Sequence, residues 1–282
     1  MRLPFPFGGT LSKKESNDKY YTNPGYAEYL VGKVKDKYGN CAYVEPSAGR
    51  GSFSKLFSEI LSYDLVPDPE FEGPTPCIQA NFLEMHPKAD VFIGNPPFGK
   101  NSSLACKFFN HCASLLELGG AIAFILPRTF EKIFFSNKLD MSMHLVYSER
   151  CPKNSFLLNG KPYDVPCVFQ IWEKKACNRD PVEIGENKLF SFSTPDDYDF
   201  CVRRVGYNAG KVLGDDDPKS EESTYFIKSL VDGVDRVFAE CYSSFQEEAG
   251  KTAGMKSIGK KELQYILETR YDQKHRLDQR TC

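Results

Sequence analysis

Residues 41–51 read CAYVEPSAGRG: an apolar run, Tyr43-Val44, ends in Glu45 and passes at once into Pro46-Ser47-Ala48-Gly49-Arg50-Gly51. A short strand that breaks into a glycine-bearing loop is how one unit of an open α/β sheet begins, and ligands of such sheets bind beyond the carboxyl ends of the strands. The glycines let a ligand approach the backbone closely. A dinucleotide loop would carry G-x-G-x-x-G, with bare amides to receive a pyrophosphate. Only G-x-G is present here, and the carboxylate of Glu45 would repel phosphates and welcome a cation.

Working outward, GYAEYLVGKVKDKYG before this loop has a helical pattern. Thr22 or Asn23 is placed to cap it and Pro24 to occupy its first turn. After the loop, Phe53, Leu56, Phe57, Ile60 and Leu61 recur at three- and four-residue steps and predict a second helix over 52–62. Strands are expected near Tyr63–Asp64, at CIQANF and at ADVFIGNPPF. A helix follows over about Leu104–Leu118, closed by Gly119-Gly120, and then the fully apolar strand AIAFILP. Strand and helix thus alternate from about residue 24 to residue 140, which predicts a mostly parallel sheet with right-handed crossovers. MHLVYSE and VPCVFQIW look like an antiparallel pair at its edge, flanking a loop with an Asn-Gly turn. Beyond them DYDFCVRRVGYNAGKV is strand-like, and a helix is expected over about Phe226–Phe245.

The chain has 282 residues, 41% of them hydrophobic and 13% aromatic, enough for one large domain or a core domain with an appendage. The expected division is a loose N-terminal segment (1–19), a catalytic domain (20–178) and a C-terminal target-recognition or accessory region (179–282). Thirty-six basic against 38 acidic residues, a net charge of −2, argue against coating a long duplex through bulk charge; a local basic groove is compatible with it. No apolar run approaches a bilayer span and the N-terminus lacks a signal-peptide core. Ten cysteines without a C-x-x-C pair read as reduced thiols of an intracellular protein, cytoplasmic or nuclear, with no membrane partner. Cys106, His111 and Cys112 share a helical pattern and read as packing, so no metal is expected.

Three successive strand ends carry one chemistry. Glu45 suits a cationic ammonium. Asp64, nineteen residues on, can accept both hydroxyls of a ribose. Asn81-Phe82 offers an amide for an adenine edge and a ring for its face. S-adenosyl-L-methionine carries an ammonium, a sulfonium, a ribose and an adenine, and no phosphate.

The fourth strand ends in Asn95-Pro96-Pro97-Phe98. Consecutive prolines fix two φ angles and remove two donors, a poor choice for stability alone. EPSAGRGSF followed by NPPF resembles the amino-methyltransferases that place a methyl group on N6 of adenine. The order is like that of their gamma class: cofactor loop, then the catalytic tetrad, then target recognition. YYTNP resembles the segment that precedes the cofactor loop in that group and closes over the methionine end of the cofactor. The resemblance covers about residues 18–175. It implies a Rossmann-like methyltransferase fold, a mostly parallel seven-stranded sheet with an antiparallel edge. It also implies S-adenosyl-L-methionine contacts from Tyr21, Thr22, Glu45, Ser47, Ala48 and Gly49, and from Asp64, Leu65, Asn81, Phe82 and Asn95. The family commonly has an aspartate where Asn81 stands; the asparagine oxygen can still accept from the cofactor's amine.

The exocyclic nitrogen of adenine is a poor nucleophile because its lone pair is delocalised into the ring. Asn95 can accept one N–H through its side-chain oxygen and the Pro96 carbonyl the other, favouring a pyramidal nitrogen without an obligatory general base. Phe98 would stack on a base that has been extruded from its helix. Phe156 matches the position of a second base-stacking aromatic in the family, against the alternative that it anchors its own loop. Lys100 is placed to meet phosphate, as are Arg203 and Arg204 in RRVGYNAGK. DNA is favoured over RNA as the partner. The alternatives are an RNA adenine methyltransferase, a methyltransferase for a protein glutamine amide, which resembles this one through an N-P-P-Y tetrad, and a non-catalytic partner subunit.

Overall fold

The computed structural model describes residues 20–252 and 254–278; the expectation for residues 1–19 lies outside the described residues. The strands of the first half are β1 (Tyr21–Thr22), β2 (Tyr43–Glu45), β3 (Leu61–Asp64), β4 (Ile78–Gln79) and β5 (Val91–Gly94). They are followed by β6 (Ala121–Pro127), β7 (Met143–Arg150), β8 (Phe156–Leu158), β9 (Lys161–Tyr163) and β10 (Cys167–Lys174). The last four are β11 (Phe190–Phe192), β12 (Phe200–Arg203), β13 (Val212–Leu213) and β14 (Thr224–Ser229). The α-helices are α1 (Pro24–Tyr38), α2 (Ser103–Leu115), α3 (Val234–Glu240), α4 (Tyr242–Ala249) and α5 (Lys260–Asp278).

Seven strands form one sheet in the order β4-β3-β2-β5-β6-β10-β7. Ranked along the chain, the first five run 3-2-1-4-5, the doubly wound order whose switch point falls between the first and fourth strands. The sheet is Rossmann-like, mostly parallel with an antiparallel edge, as expected from the sequence. Contacts divide the chain into two compact units, one reaching to Asn95 and including Cys151–Val165, the other made of Pro96–Arg150 and the residues from Pro166 on.

In the first unit β2 pairs in parallel with both β3 and β5, and β3 with β4. Helix α1 starts as its sequence predicts: the Asn23 side chain accepts the Gly25 N–H at 3.0 Å and Pro24 takes the first turn. Ala27, Leu30, Val31 and Val34 are its buried stripe. The helix expected over 52–62 is a correction. Only Ser54–Leu56 makes a 3-10 turn, and Phe57 is already extended. Phe53, Phe57 and Ile60 are buried as the periodicity implied. The β2–β3 register, Val44 beside Leu61, starts a strand where the helix would have continued. A separate three-stranded sheet joins β1 antiparallel to β8 and β8 to β9 through Asn159-Gly160, both at positive φ, as a two-residue hairpin turn requires.

In the second unit β6 and β7 each pair antiparallel with β10. All seven residues of β6 are buried. The C-terminal region folds as a four-stranded sheet, β11-β14-β12-β13. The helix expected over Phe226–Phe245 is corrected here as well. Thr224–Ser229 is a strand between β11 and β12, and the helices α3 and α4 begin only after Gly233. Aromatic and β-branched residues such as Tyr225, Phe226 and Ile227 suit either conformation, and two partner strands decide for the sheet. Phe238 centres this core, with its ring 5.0 Å from Phe190 and 5.1 Å from Phe200.

Candidate functional site

The carboxyl ends of β2 and β5, the two strands at the switch point, meet within the first unit. Ser47 donates its hydroxyl to the Asn95 carbonyl at 3.3 Å, so the glycine loop is joined to the start of NPPF. The Ala48 N–H donates to the Tyr63 carbonyl at 2.8 Å, joining the same loop to β3. Asp64 completes the corner: Oδ2 accepts the Gly49 N–H at 2.8 Å and Oδ1 the Val66 N–H at 3.0 Å. Its oxygens retain lone pairs for further donors, since a carboxylate offers about four acceptor sites.

Glu45 is 1% exposed. Its Oε2 accepts the Ser54 N–H at 2.9 Å and the Ser54 hydroxyl, which in turn meets the Ser62 hydroxyl at 2.6 Å. The side chain thus holds the 3-10 turn of Ser54–Leu56. Burial pushes its carboxyl up from 4.5 to about 8, against the lowering effect of the Ser54 bonds. It passes so close to β5 that a Cβ on Gly94 would stand 3.3 Å from Glu45 Cγ, and Gly94 has φ 150°. Only glycine suits that position.

Asn95 Oδ1 is buried and has no hydrogen-bond partner. Pro96 is buried, Pro97 exposed and Phe98 half-buried. The Phe98 carbonyl accepts from the N–H groups of Leu104 and Ala105, at 3.1 and 3.2 Å, which caps α2.

Other candidates are placed differently from the sequence expectation. Asn81 caps the 3-10 turn Phe82–Glu84, accepting the Leu83 N–H and donating to Glu84 Oε1 at 2.6 Å. Phe82 is 2% exposed and makes T-shaped contacts with Tyr63 and Phe92, so its ring belongs to the core rather than to an open adenine site. Leu65 and Val66, directly after Asp64, expose apolar surface instead, Val66 being a candidate the sequence did not single out. Phe156 is 1% exposed, paired through its backbone with buried Thr22. Its ring is a core ring, and the loop-anchoring alternative is the one the burial supports. In the second unit Lys100 is exposed. Arg203 is committed internally, to Ser223 Oγ at 3.0 Å and the Pro218 carbonyl at 2.6 Å, while exposed Arg204 reaches the Glu222 carbonyl at 3.4 Å. The sequence also gave no signal for Asp68, in a loop that reads only as polar and proline-rich. Among the described residues no three His, Cys, Asp or Glu side chains converge to hold a metal, and no helix is long and apolar enough to cross a membrane.

No protein-family model matches the chain, and no curated protein does. Solved structures similar to it include TrmN from Thermus thermophilus, at 17% identity over 54% of this chain and 48% of that one, TM-score 0.40. A proposed RNA methyltransferase from Pyrococcus horikoshii is similar at 17% identity over 56% of this chain and 88% of that one, TM-score 0.44. A chain of a type I R-M system is similar at 16% identity over 55% and 42% of the two chains, TM-score 0.43. This chain thus spans about half the length of TrmN. Likeness at this level carries no activity from those proteins to this one.

Proposed function

We propose that the protein transfers a methyl group from S-adenosyl-L-methionine to the N6 amine of adenine in DNA, with the base extruded from its helix. The observation that carries this is Asn95 Oδ1, a buried acceptor left without a donor at the switch point of a doubly wound sheet. Burying a polar atom unpaired costs about 1–3 kcal/mol, a cost that an incoming N–H donor would remove.

Asp64 and Leu65 suit that cofactor, whereas Glu45, buried and held by Ser54, presents no exposed carboxylate to its ammonium. Asp64 supplies carboxylate oxygens for a ribose, and Leu65 an exposed apolar side chain beside it. Arg50, the cation of the glycine loop, is engaged by Asp68 and Glu70, which leaves the loop poorly suited to a phosphate. When bound, the cofactor supplies an electrophilic methyl group on a sulfonium. The protein's part is to orient the amine. Asn95 accepts one N–H through its side chain and Pro96 the other through its carbonyl, which draws the nitrogen lone pair out of conjugation. Both carbonyls are neutral acceptors, so the displaced proton leaves to solvent and no protein base is needed. Phe98 offers a ring to the base.

Incubation with methyl-labelled cofactor and separate DNA, RNA and protein pools tests this, with Asn95→Ala as the control. Label in DNA, recovered as N6-methyladenine and lost in the variant, is the expected result. Label confined to RNA would shift the substrate to RNA; label that survives in the variant would overturn the role of Asn95.

A further inference from the structure

A second carboxylate closes the glycine loop from outside. Tyr21, in β1, donates its hydroxyl to Asp68 Oδ2 at 2.6 Å. The Arg50 guanidinium lies 4.7 Å from the centre of the Tyr21 ring, and it reaches Asp68 at 3.4 Å and Glu70 at 3.1 Å. Asp68 Oδ1 accepts the Glu70 N–H at 2.9 Å, which fixes the carboxylate plane. Beneath these groups the Tyr21 ring rests on the loop itself: a Cβ on Gly49 would stand 3.3 Å from it.

The same acidic segment grips the loop again two residues later. The Glu72 N–H donates to the Arg50 carbonyl at 2.9 Å, and the Glu72 carboxylate pairs with Lys55 at 2.8 Å. Gly51, at φ 79°, lies so near that a Cβ there would be 1.9 Å from the Glu72 carbonyl oxygen. The backbone of Tyr21 is tied on its other side to Leu157 of β8.

The Asp68 side chain is 10% exposed. Burial opposes its charge, but the Tyr21 hydroxyl, the Glu70 amide and Arg50 together hold the carboxyl below its ordinary range. Burial first, and Asp68 second, push the Tyr21 phenol up to about 12. A neutral phenol therefore faces a carboxylate throughout the physiological range, the pairing that gives a strong, charge-assisted bond.

We propose that Asp68 is a positioning residue for the cofactor: by holding Tyr21 over Gly49 and engaging Arg50, it keeps the glycine loop in the form that receives the ligand. This rests on the S-adenosyl-L-methionine site proposed above. Ordering a loop before binding removes an entropic cost from the binding step, so the effect belongs in ligand affinity.

The test uses the full chain with Tyr21→Phe, Asp68→Ala and the double variant. Affinity for S-adenosylhomocysteine is measured by calorimetry, hydrogen exchange of the Gly49 and Gly51 amides is followed in the ligand-free protein, and melting temperature is recorded. Each single change should weaken binding roughly tenfold, as loss of a hydrogen bond to a charged group does. The double variant should be no weaker than the poorer single, because the Tyr21 hydroxyl acts through Asp68. Exchange at both glycines should quicken, with a fall of a few °C in melting temperature for the one bond lost. Unchanged exchange would remove the clasp whatever the ligand, and a fall in melting temperature with affinity equal to wild type would reduce Asp68 to a stabilising residue. If the wild type binds no S-adenosylhomocysteine yet exchange still quickens in the variants, the clasp stands as a loop brace and the cofactor assignment falls.

Discussion

Asp64 accepts the Gly49 N–H at 2.8 Å, so the acid that ends β3 and the loop that leaves β2 are joined directly. Substitution at Asp64 should therefore act twice, through the ligand and through the loop. Asp64→Ala is expected to weaken S-adenosylhomocysteine binding by at least tenfold, and Asp64→Asn by less, because an amide oxygen can still accept from Gly49. Affinity for nucleic acid should be unchanged. A cofactor dissociation constant equal to wild type in the alanine variant would remove Asp64 from the site.

Asn95 separates chemistry from stability. Its side-chain oxygen makes no hydrogen bond, so truncation to alanine removes an unpaired buried acceptor rather than a bond. Methyl transfer should fall by at least about a hundredfold, the scale for losing one preorganised polar group, while cofactor affinity and melting temperature do not fall. A marked loss of stability would mean that Asn95 is part of the framework instead.

Glu45 should make stability pH-dependent. In the folded chain burial raises its carboxyl to about 8 from 4.5. The folded state then keeps a proton that the unfolded state loses, and the stabilising contribution, full below about pH 4.5, declines as pH rises through about 8. The span is a few kcal/mol at about 1.4 kcal/mol per pH unit. Glu45→Gln should flatten urea-unfolding stability between pH 5 and 8, roughly the window set by these two values. A wild-type curve already flat across that window would show the carboxyl to be ionised when buried.

Phe156 tests the hairpin. With 1% exposure its ring is part of the core, and Phe156→Ala should cost about 3–5 kcal/mol of unfolding free energy. Near-wild-type stability combined with weakened binding of a DNA duplex would return the ring to base stacking.

The sequence by itself was enough for the sheet and for the corner where its strands end. Tyr43–Glu45 followed by G-x-G, Asp64 after the next strand and Val91–Gly94 before NPPF are local patterns, and a strand that breaks into a glycine or an acid announces its carboxyl end without help from the rest of the chain. Only the tertiary structure decided what each side chain faces. Phe53, Phe57 and Ile60 have helical spacing and are buried, yet the register of Leu61 beside Val44 leaves room for a single 3-10 turn. Phe226 and Ile227 are drawn into a strand by neighbours from β11 and β12, more than 20 residues away in the chain. Glu45 faces Ser54, Phe82 and Phe156 face the core, Arg203 is committed to its own loop, and Asp68 meets Tyr21 across 47 residues. Periodicity is a property of neighbouring residues and can be read along the chain, whereas burial and hydrogen-bond partners are set by segments distant in sequence and exist only once those segments have packed.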